Sequence, residues 1–249
     1  MNRIAQLLNG ETPLIAVGFG DNTNPKVIED GVKLGLDVAE LRIDLYSSFD
    51  HEYVLNEVRK FKSLPTVATI RIGDEGGQWN LAEDKRLLLF KAIMKEVDSV
   101  DIELQSSEIL PQVVQEAHAL GKLVFISFHD FEKTPELSYL EQVASRATSL
   151  GADAIKVATY ARNQKDLQTL ASFTIKNSTA KLVTMAMGSE GVVSRLFFPA
   201  LGSKLTYAYI GKPSAPGQLT FQDTFYLLRK LYPDFNQKKI NSLELMECV

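Results

Sequence analysis

Asp153-Ala154-Ile155-Lys156-Val157-Ala158-Thr159 is a short apolar run with one lysine at its centre. Its β-branched and small residues predict a buried strand. On a strand, Ala154, Lys156 and Ala158 share one face and Ile155, Val157 and Thr159 the other. The lysine therefore stands between two alanines, which leave room around its amine. A lysine confined in a partly dry site has its pKa pushed down and becomes a nucleophile able to form a Schiff base with a ketone. The plainer alternative is a lysine that ends an edge strand and reaches water. The run alone is compatible with both, and the rest of the chain decides.

Outward from this run, apolar β-rich segments alternate with helix-period segments along the whole chain. Strands are predicted at 14–18, 38–43, 66–71, 99–104, 123–128, 154–158, 181–186 and 205–210. Helices are predicted between and after them, at 25–34, 51–61, 82–96, 109–120, 135–150, 164–176, 189–197 and 220–231. Asn24-Pro25, Thr134-Pro135 and Ser189-Glu190 read as helix starts, and Gly35, Gly121 and Gly151 follow helix ends. Eight strand–helix units in 249 residues have the length of a (β/α)8 TIM barrel of the α/β class. A doubly wound sheet is the runner-up, but Gly18-Phe19-Gly20-Asp21 lacks the glycine-rich phosphate fingerprint expected after its first strand. No linker or composition break appears, so residues 1–249 are expected to form a single barrel domain.

Composition bounds the function. A net charge of -4 and the absence of any basic run argue against a nucleic-acid partner. No run reaches membrane-spanning length, and residues 1–10 lack a cleavable apolar segment. The single cysteine, Cys248, offers no internal disulfide and no thiol cluster, which fits a reducing compartment. A cytoplasmic protein is expected. No His/Asp/Glu cluster has metal-ligand spacing, so neither metal nor cofactor is required.

The inner faces of the predicted strands carry the chemistry. A barrel interior is normally filled by Val, Ile and Leu. Here Glu40, Arg42 and Asp44 share a face, as do Thr69 and Arg71, Asp101 and Glu103, Ser127 and His129, and Met185 and Met187. Each strand alone also reads as an exposed edge with alternating polarity. Together they place charge inside a barrel whose outer faces are apolar. Isolated buried charges are too costly, so the carboxylates are expected to pair with Arg42, Arg71, Lys156 or a charged ligand.

Loops add Glu75 after the third strand, Arg195 after the seventh, and 211–218 after the eighth, a Gly/Pro-rich segment read as a lid or a plain connection. Lys156 is suited to condense with a substrate ketone. His129 is suited to move the proton that the resulting iminium acidifies, although a structural histidine is its bland alternative. Arg195 is suited to grip a carboxylate with two donors. His51 and His118 fall in helical stretches and read as surface or packing residues.

Taken in order, Glu40-Leu41-Arg42-Ile43-Asp44, Ala68-Thr69-Ile70-Arg71 with Glu75, Ile126-Ser127-Phe128-His129-Asp130-Phe131 with Thr134-Pro135, Ile155-Lys156-Val157-Ala158, Met185-Ala186-Met187-Gly188 through Arg195, and Pro213-Ser214-Ala215-Pro216-Gly217-Gln218 resemble the type I 3-dehydroquinate dehydratase family. The likeness spans nearly the whole chain, and the ordered set is more specific than any one motif. It implies a homodimeric barrel that converts 3-dehydroquinate to 3-dehydroshikimate by syn loss of water. It assigns Lys156 as the Schiff-base lysine, His129 as general acid and base, and Glu75 as the group that tunes His129. Arg195 would hold the substrate carboxylate. Glu40, Arg42, Arg71, Tyr207, Ser214, Ala215 and Gln218 would line the substrate site, with Met185 and Met187 as its apolar wall. The chain departs from the family on its first strand, where Ile15-Ala16-Val17-Gly18-Phe19 has no serine, and at Tyr207, where phenylalanine is common. A class I aldolase or transaldolase is the rival enzyme reading: its phosphate would be held by backbone amides of the last two loops, as at Gly211-Lys212-Pro213-Ser214, but Pro213 and Pro216 remove donors and Arg195 favours a carboxylate. A binding protein on a degenerate barrel is the rival outside enzymes, and it would be expected to have lost Lys156 or His129.

Overall fold

Eight parallel strands form one continuous sheet: β1 (Leu14–Phe19), β2 (Val38–Arg42), β3 (Thr66–Thr69), β4 (Ser99–Glu103), β5 (Leu123–Asp130), β6 (Ala154–Tyr160), β7 (Leu182–Met187) and β8 (Leu205–Ala208). The computed structural model describes residues 2–247, with side chains through residue 240; Cys248 lies outside the described residues. The strand order β7-β6-β5-β4-β3-β2-β1-β8 follows the chain except that β8 pairs with β1. The ring is nearly closed at the β7–β8 seam, where Ser203 substitutes for a ladder. Thr184 N donates to Ser203 Oγ at 2.9 Å, and Lys204 N donates to Leu182 O at 2.8 Å. This is the predicted barrel, and it excludes the doubly wound sheet.

Among the described residues, ten α-helices accompany the strands: α1 (Arg3–Leu8), α2 (Pro25–Lys33), α3 (His51–Arg59), α4 (Glu83–Ile93), α5 (Leu110–Ala119), α6 (Leu137–Ser149), α7 (Gln164–Lys176), α8 (Ser194–Phe197), α9 (Phe221–Leu231) and α10 (Pro233–Glu247). Asn24 caps α2 through Lys26 N, and Gly35, Gly121 and Gly151 take left-handed φ angles of 90°, 67° and 92° after their helices. Two expected helix starts move. Thr134 does not cap α6, because its hydroxyl is engaged by Thr159 Oγ1 and Tyr160 O. The predicted helix 189–197 shrinks to the single turn of α8, because 188–191 folds as a tight turn first. Gly188 has a φ of 86°, and a Cβ on Gly191 would lie 2.5 Å from the Ala186 carbonyl.

Two helices lacked a strong sequence signal. α1 is six residues long, too short for a clear period. Its Ile4 and Leu8 are fully buried among Leu14, Val38, Val67 and Leu205, where they plug the end of the barrel at which the strands begin. Burying each is worth about 1.5–3 kcal/mol. Asn2 caps this helix and ties it to Asp98 O, and Arg3 pairs with the Asp98 carboxylate. α10 is anchored by the buried Lys239, which donates to Asp37 Oδ1 and Gly35 O at 2.6 Å each. Among the described residues, no helix is long and apolar enough to cross a membrane.

The core has two parts. The larger lies between the sheet and the helices and holds Ile155 and Val157 with the outward residues of the other strands. The smaller fills the barrel and holds Ala154 and Ala158. The alternation read in 153–159 thus separates the two, and Lys156 faces inward.

Candidate active site

Register carries the inward charged residues to one level. Arg42 pairs across from Thr69, Thr69 from Asp101, Glu103 from Ser127, Ser127 from Lys156, and His129 from Ala158. At the end of the barrel where the strands finish lies a cavity of about 510 Å³, counted out to its mouth. The thirteen residues that the resemblance assigns to the site all line it: Glu40, Arg42, Arg71, Glu75, His129, Lys156, Met185, Met187, Arg195, Tyr207, Ser214, Ala215 and Gln218, whereas the inward-facing Asp44, Thr69, Asp101, Glu103 and Ser127 lie beneath or beside it. Gly76, Phe131 and Ala158 complete the lining. Among the described residues, no group of three or more His, Cys, Asp or Glu side chains is arranged to hold a metal ion.

Lys156 is buried, and its Nζ donates to Glu40 Oε1 at 2.7 Å and to Asp101 Oδ2 at 3.0 Å. It also lies 4.5 Å from the centre of the Tyr207 ring. The expectation of a depressed lysine pKa is overturned in this resting state. Burial pulls the value down, but Asp101 and Glu40 outweigh it and hold the ammonium above its ordinary value. Two carboxylates within 3.0 Å favour the charged form by more than burial opposes it. Asp101 itself, against its own burial, is held ionised by Arg71 and Lys156.

The other acids are paired as well. Arg42 makes a two-pronged contact with Asp44 at 3.0 and 2.8 Å. Arg71, just beyond β3, gives Nη2 to Asp101 at 2.7 Å and Nη1 to Glu103 and Ser127 at 2.8 and 2.7 Å. Its guanidinium is therefore engaged by the protein rather than free for a ligand. The second oxygen of Glu103 is held by Arg86 of α4 at 2.9 Å, a fully buried residue that the sequence left among ordinary helix charges.

Glu75 reaches His129 from the loop after β3. Its Oε2 lies 2.7 Å from Nδ1 and accepts the His129 main-chain N–H at 3.0 Å. Burial pushes the Glu75 carboxyl up to about 8, with Glu103 and Asp101 adding to the rise against the pull of Arg71. Burial and the Arg71 and Lys156 charges hold the imidazole well below its ordinary value, so His129 is neutral at pH 7. Phe131, quoted in the sequence only as the end of the His129 segment and given no role there, lies along the His129 ring at 6.5 Å between centroids and against Gly76. Its only sequence signal was its position two residues beyond His129.

Arg195, the second residue of α8, is the exception to the pairing rule. Only Nη1 has partners, Met185 Sδ at 3.3 Å and Tyr207 O at 3.4 Å, while Nε and Nη2 are buried with none. Burial lowers its pKa to about 10, with no carboxylate to restore it. An unpaired buried guanidinium on a cavity wall is a preformed anion site.

The 211–218 segment folds over the same opening. Gln218 Oε1 accepts from Ser214 N at 2.7 Å and Ala215 N at 3.2 Å, which leaves the amide nitrogen of Gln218 as the free donor. These two main-chain donors are thus already used and are not offered to a phosphate. On the first strand, a Cβ at Gly18 would meet Arg42 Cγ and Glu40 Oε2 at 3.6 Å and Ser214 Oγ at 3.9 Å, ordinary contact distances, so the glycine borders the site without a side chain to offer it.

Comparison with known proteins places the whole barrel among relatives of one family. The description of type I 3-dehydroquinase matches residues 14–234. The 3-dehydroquinate dehydratase of Thermodesulfovibrio yellowstonii is 32% identical over 218 residues, covering 87% of this chain and 95% of the relative. The crystal structure of 3-dehydroquinate dehydratase from Geobacillus kaustophilus superposes with a TM-score of 0.83 at 30% identity, covering 89% of this chain and 92% of that one. The type I enzyme from Clostridium difficile, solved with covalent modified comenic acid, gives a TM-score of 0.81 at 31% identity over 90% and 94% of the two chains.

Proposed function

Since this chain belongs to the type I 3-dehydroquinase family, a family of hydro-lyases, we propose that it dehydrates 3-dehydroquinate to 3-dehydroshikimate through a Schiff base on Lys156, in the shikimate pathway. The observation that carries this reading is the meeting, in one cavity, of a buried lysine, a neutral imidazole and a buried guanidinium with no anion. That the Clostridium difficile relative was solved with covalent modified comenic acid is in keeping with a family that forms covalent adducts.

The substrate carboxylate docks on Nε and Nη2 of Arg195, with Met185 and Met187 against its ring. Its ketone then meets Lys156. The ammonium gives one proton to Glu40, and the amine adds to the carbonyl carbon. Glu40 returns that proton to the adduct's hydroxyl, whose loss as water leaves an iminium, and the positive charge of the iminium acidifies the adjacent carbon. Glu75 Oε2 accepts the His129 main-chain N–H, which favours the imidazole tautomer protonated on Nδ1 and leaves Nε2 as the base. His129 removes the proton beside the iminium and delivers it to the departing hydroxyl on the same face. Hydrolysis of the iminium returns free Lys156, so the balance is one substrate to one product and one water. Glu40, Arg42, Ser214 and Gln218 hold the substrate hydroxyls, and Tyr207 and Ala215 close the wall.

We place this work in a cytoplasmic homodimer whose single domain is the whole chain. The lone cysteine supports a reducing compartment, and the family likeness supports the dimer. The test is borohydride reduction during turnover of 3-dehydroquinate, followed by peptide mass mapping. A reduced adduct on Lys156 with the dehydrated mass is expected. Turnover without any adduct overturns the Schiff base, and the absence of both overturns the reading.

A further inference from the structure

Arg195 bonds none of the inward acids, and the directly hydrogen-bonded acids of the barrel find as many cations only when a residue from outside it is included. Glu40, Asp101 and Glu103 face two interior cations, Lys156 and Arg71, through direct hydrogen bonds. Arg42 is matched by Asp44. The third cation is Arg86, fully buried on the helix α4 that covers the sheet. Its Nη1 donates to Glu103 Oε2 at 2.9 Å and Ile70 O at 3.1 Å, and its Nη2 donates to Glu83 Oε2 at 2.8 Å and Ser106 Oγ at 2.6 Å. Ser106 Oγ in turn donates to the same Glu103 oxygen at 2.8 Å.

A chain of alternating charge results: Glu83, Arg86, Glu103, Arg71, Asp101, Lys156, Glu40. Each inner acid divides its oxygens. Glu103 gives Oε1 to Arg71 and Oε2 to Arg86. Asp101 gives Oδ1 to Arg71 and Oδ2 to Lys156. Without Arg86, Glu103 keeps one cation for two buried oxygens and competes with Asp101 for Arg71. Asp101 then relies more heavily on Lys156.

We propose that Arg86 is a positioning residue of the dehydration site: by holding the outer oxygen of Glu103 it keeps Arg71 shared with Asp101, and so limits how tightly Asp101 grips Lys156. This rests on Lys156 as the nucleophile. The groups facing Lys156 are Glu40 from β2, Asp101 from β4 and Tyr207 from β8, with Arg71 and His129 next to them. Those facing Arg86 are Glu83, Glu103 and Ser106, with Glu108 beside Glu83. Removing the Arg86 charge leaves one uncompensated negative charge, so neighbouring ammonium and carboxyl groups keep their protons to higher pH. Less amine is then free to attack.

The test is the pH profile of kcat/KM for dehydration, with thermal melting measured in parallel. Arg86→Gln is expected to move the acidic limb up by about one pH unit, or about tenfold less activity below it. Arg86→Lys is expected to return the limb to its place, even with a lower Tm. Glu83→Gln, which removes the outer anion and leaves Arg86 in place, is expected to move the limb down. A lower Tm for Arg86→Gln with an unmoved limb overturns the proposal. Should that variant not fold, an unmoved limb in Glu83→Gln overturns it. Borohydride labelling of the wild type separates the two levels. Turnover without a label removes the nucleophile reading, whereas a labelled wild type with unmoved limbs removes only the role of Arg86.

Discussion

His129 meets a single oxygen of Glu75 twice, through Nδ1 at 2.7 Å and through its own main-chain N–H at 3.0 Å. The ring is thereby fixed in rotation and its tautomer chosen by one acceptor. That acceptor belongs to a carboxyl raised to about 8 by its burial. Between its ordinary value near 4.5 and 8, the native state binds the Glu75 proton and the unfolded chain does not. Stability contributed by this group is therefore full at low pH and falls as pH rises through that window. Glu75→Gln, which stays neutral, is expected to melt like the wild type at pH 5 and above it at pH 9, with kcat lowered about 100-fold. The same Tm difference at both pH values would count against the buried neutral carboxyl.

Lys156→Met keeps the length of the side chain and removes the amine. Turnover is expected to fall by about 10⁴-fold or more, with no borohydride adduct anywhere on the chain. Asp101 keeps Arg71 and Ser127, so the variant should remain folded. A variant that still turns over near the wild-type rate would sink the nucleophile assignment.

Arg195 carries an unmatched buried charge, and such groups lower stability in exchange for binding. Arg195→Met is therefore expected to raise the Tm of the free protein by a few degrees while kcat/KM drops about 10²–10³-fold, mostly through KM. Melting curves and steady-state rates on the same preparation check both halves. A lower Tm would mean that the guanidinium is stabilised by something other than its ligand.

The placement of the 211–218 segment depends on one close approach. Gly217 has a φ of 77°, and a Cβ there would lie 2.5 Å from Gly188 O. Gly217→Ala is expected to hold the segment away from the 188–191 turn, raising KM about tenfold and leaving the Tm within a degree or two. A loss of stability as large as that of a core substitution would show that the segment is part of the core instead.

Much of the site was legible from strand periodicity. Alternation in 38–44, 99–104 and 123–129 predicts which side chains enter the barrel, because successive residues on a strand point to opposite faces. Loop positions such as Glu75, Arg195 and Ser214 do not follow from periodicity, and the ordered likeness to a family identified them. Phe131 fell within a matching segment but received no role, and Arg86 was found by neither route. Arg86 sits among Glu83, Asp84 and Lys85, where a solvated helix face is the natural reading, and only its packing against Glu103 and Ser106 distinguishes it.

The sequence by itself determined the barrel, the inward facing of Lys156 between Ala154 and Ala158, and the set of residues around one opening, because these depend on local period and order. The protonation of the site was decided only by tertiary structure. Lys156 meets Glu40 and Asp101 from 116 and 55 residues away, and these contacts reverse the pKa direction expected of a confined lysine. Coulomb energies depend on distance and burial, and closing the barrel sets both.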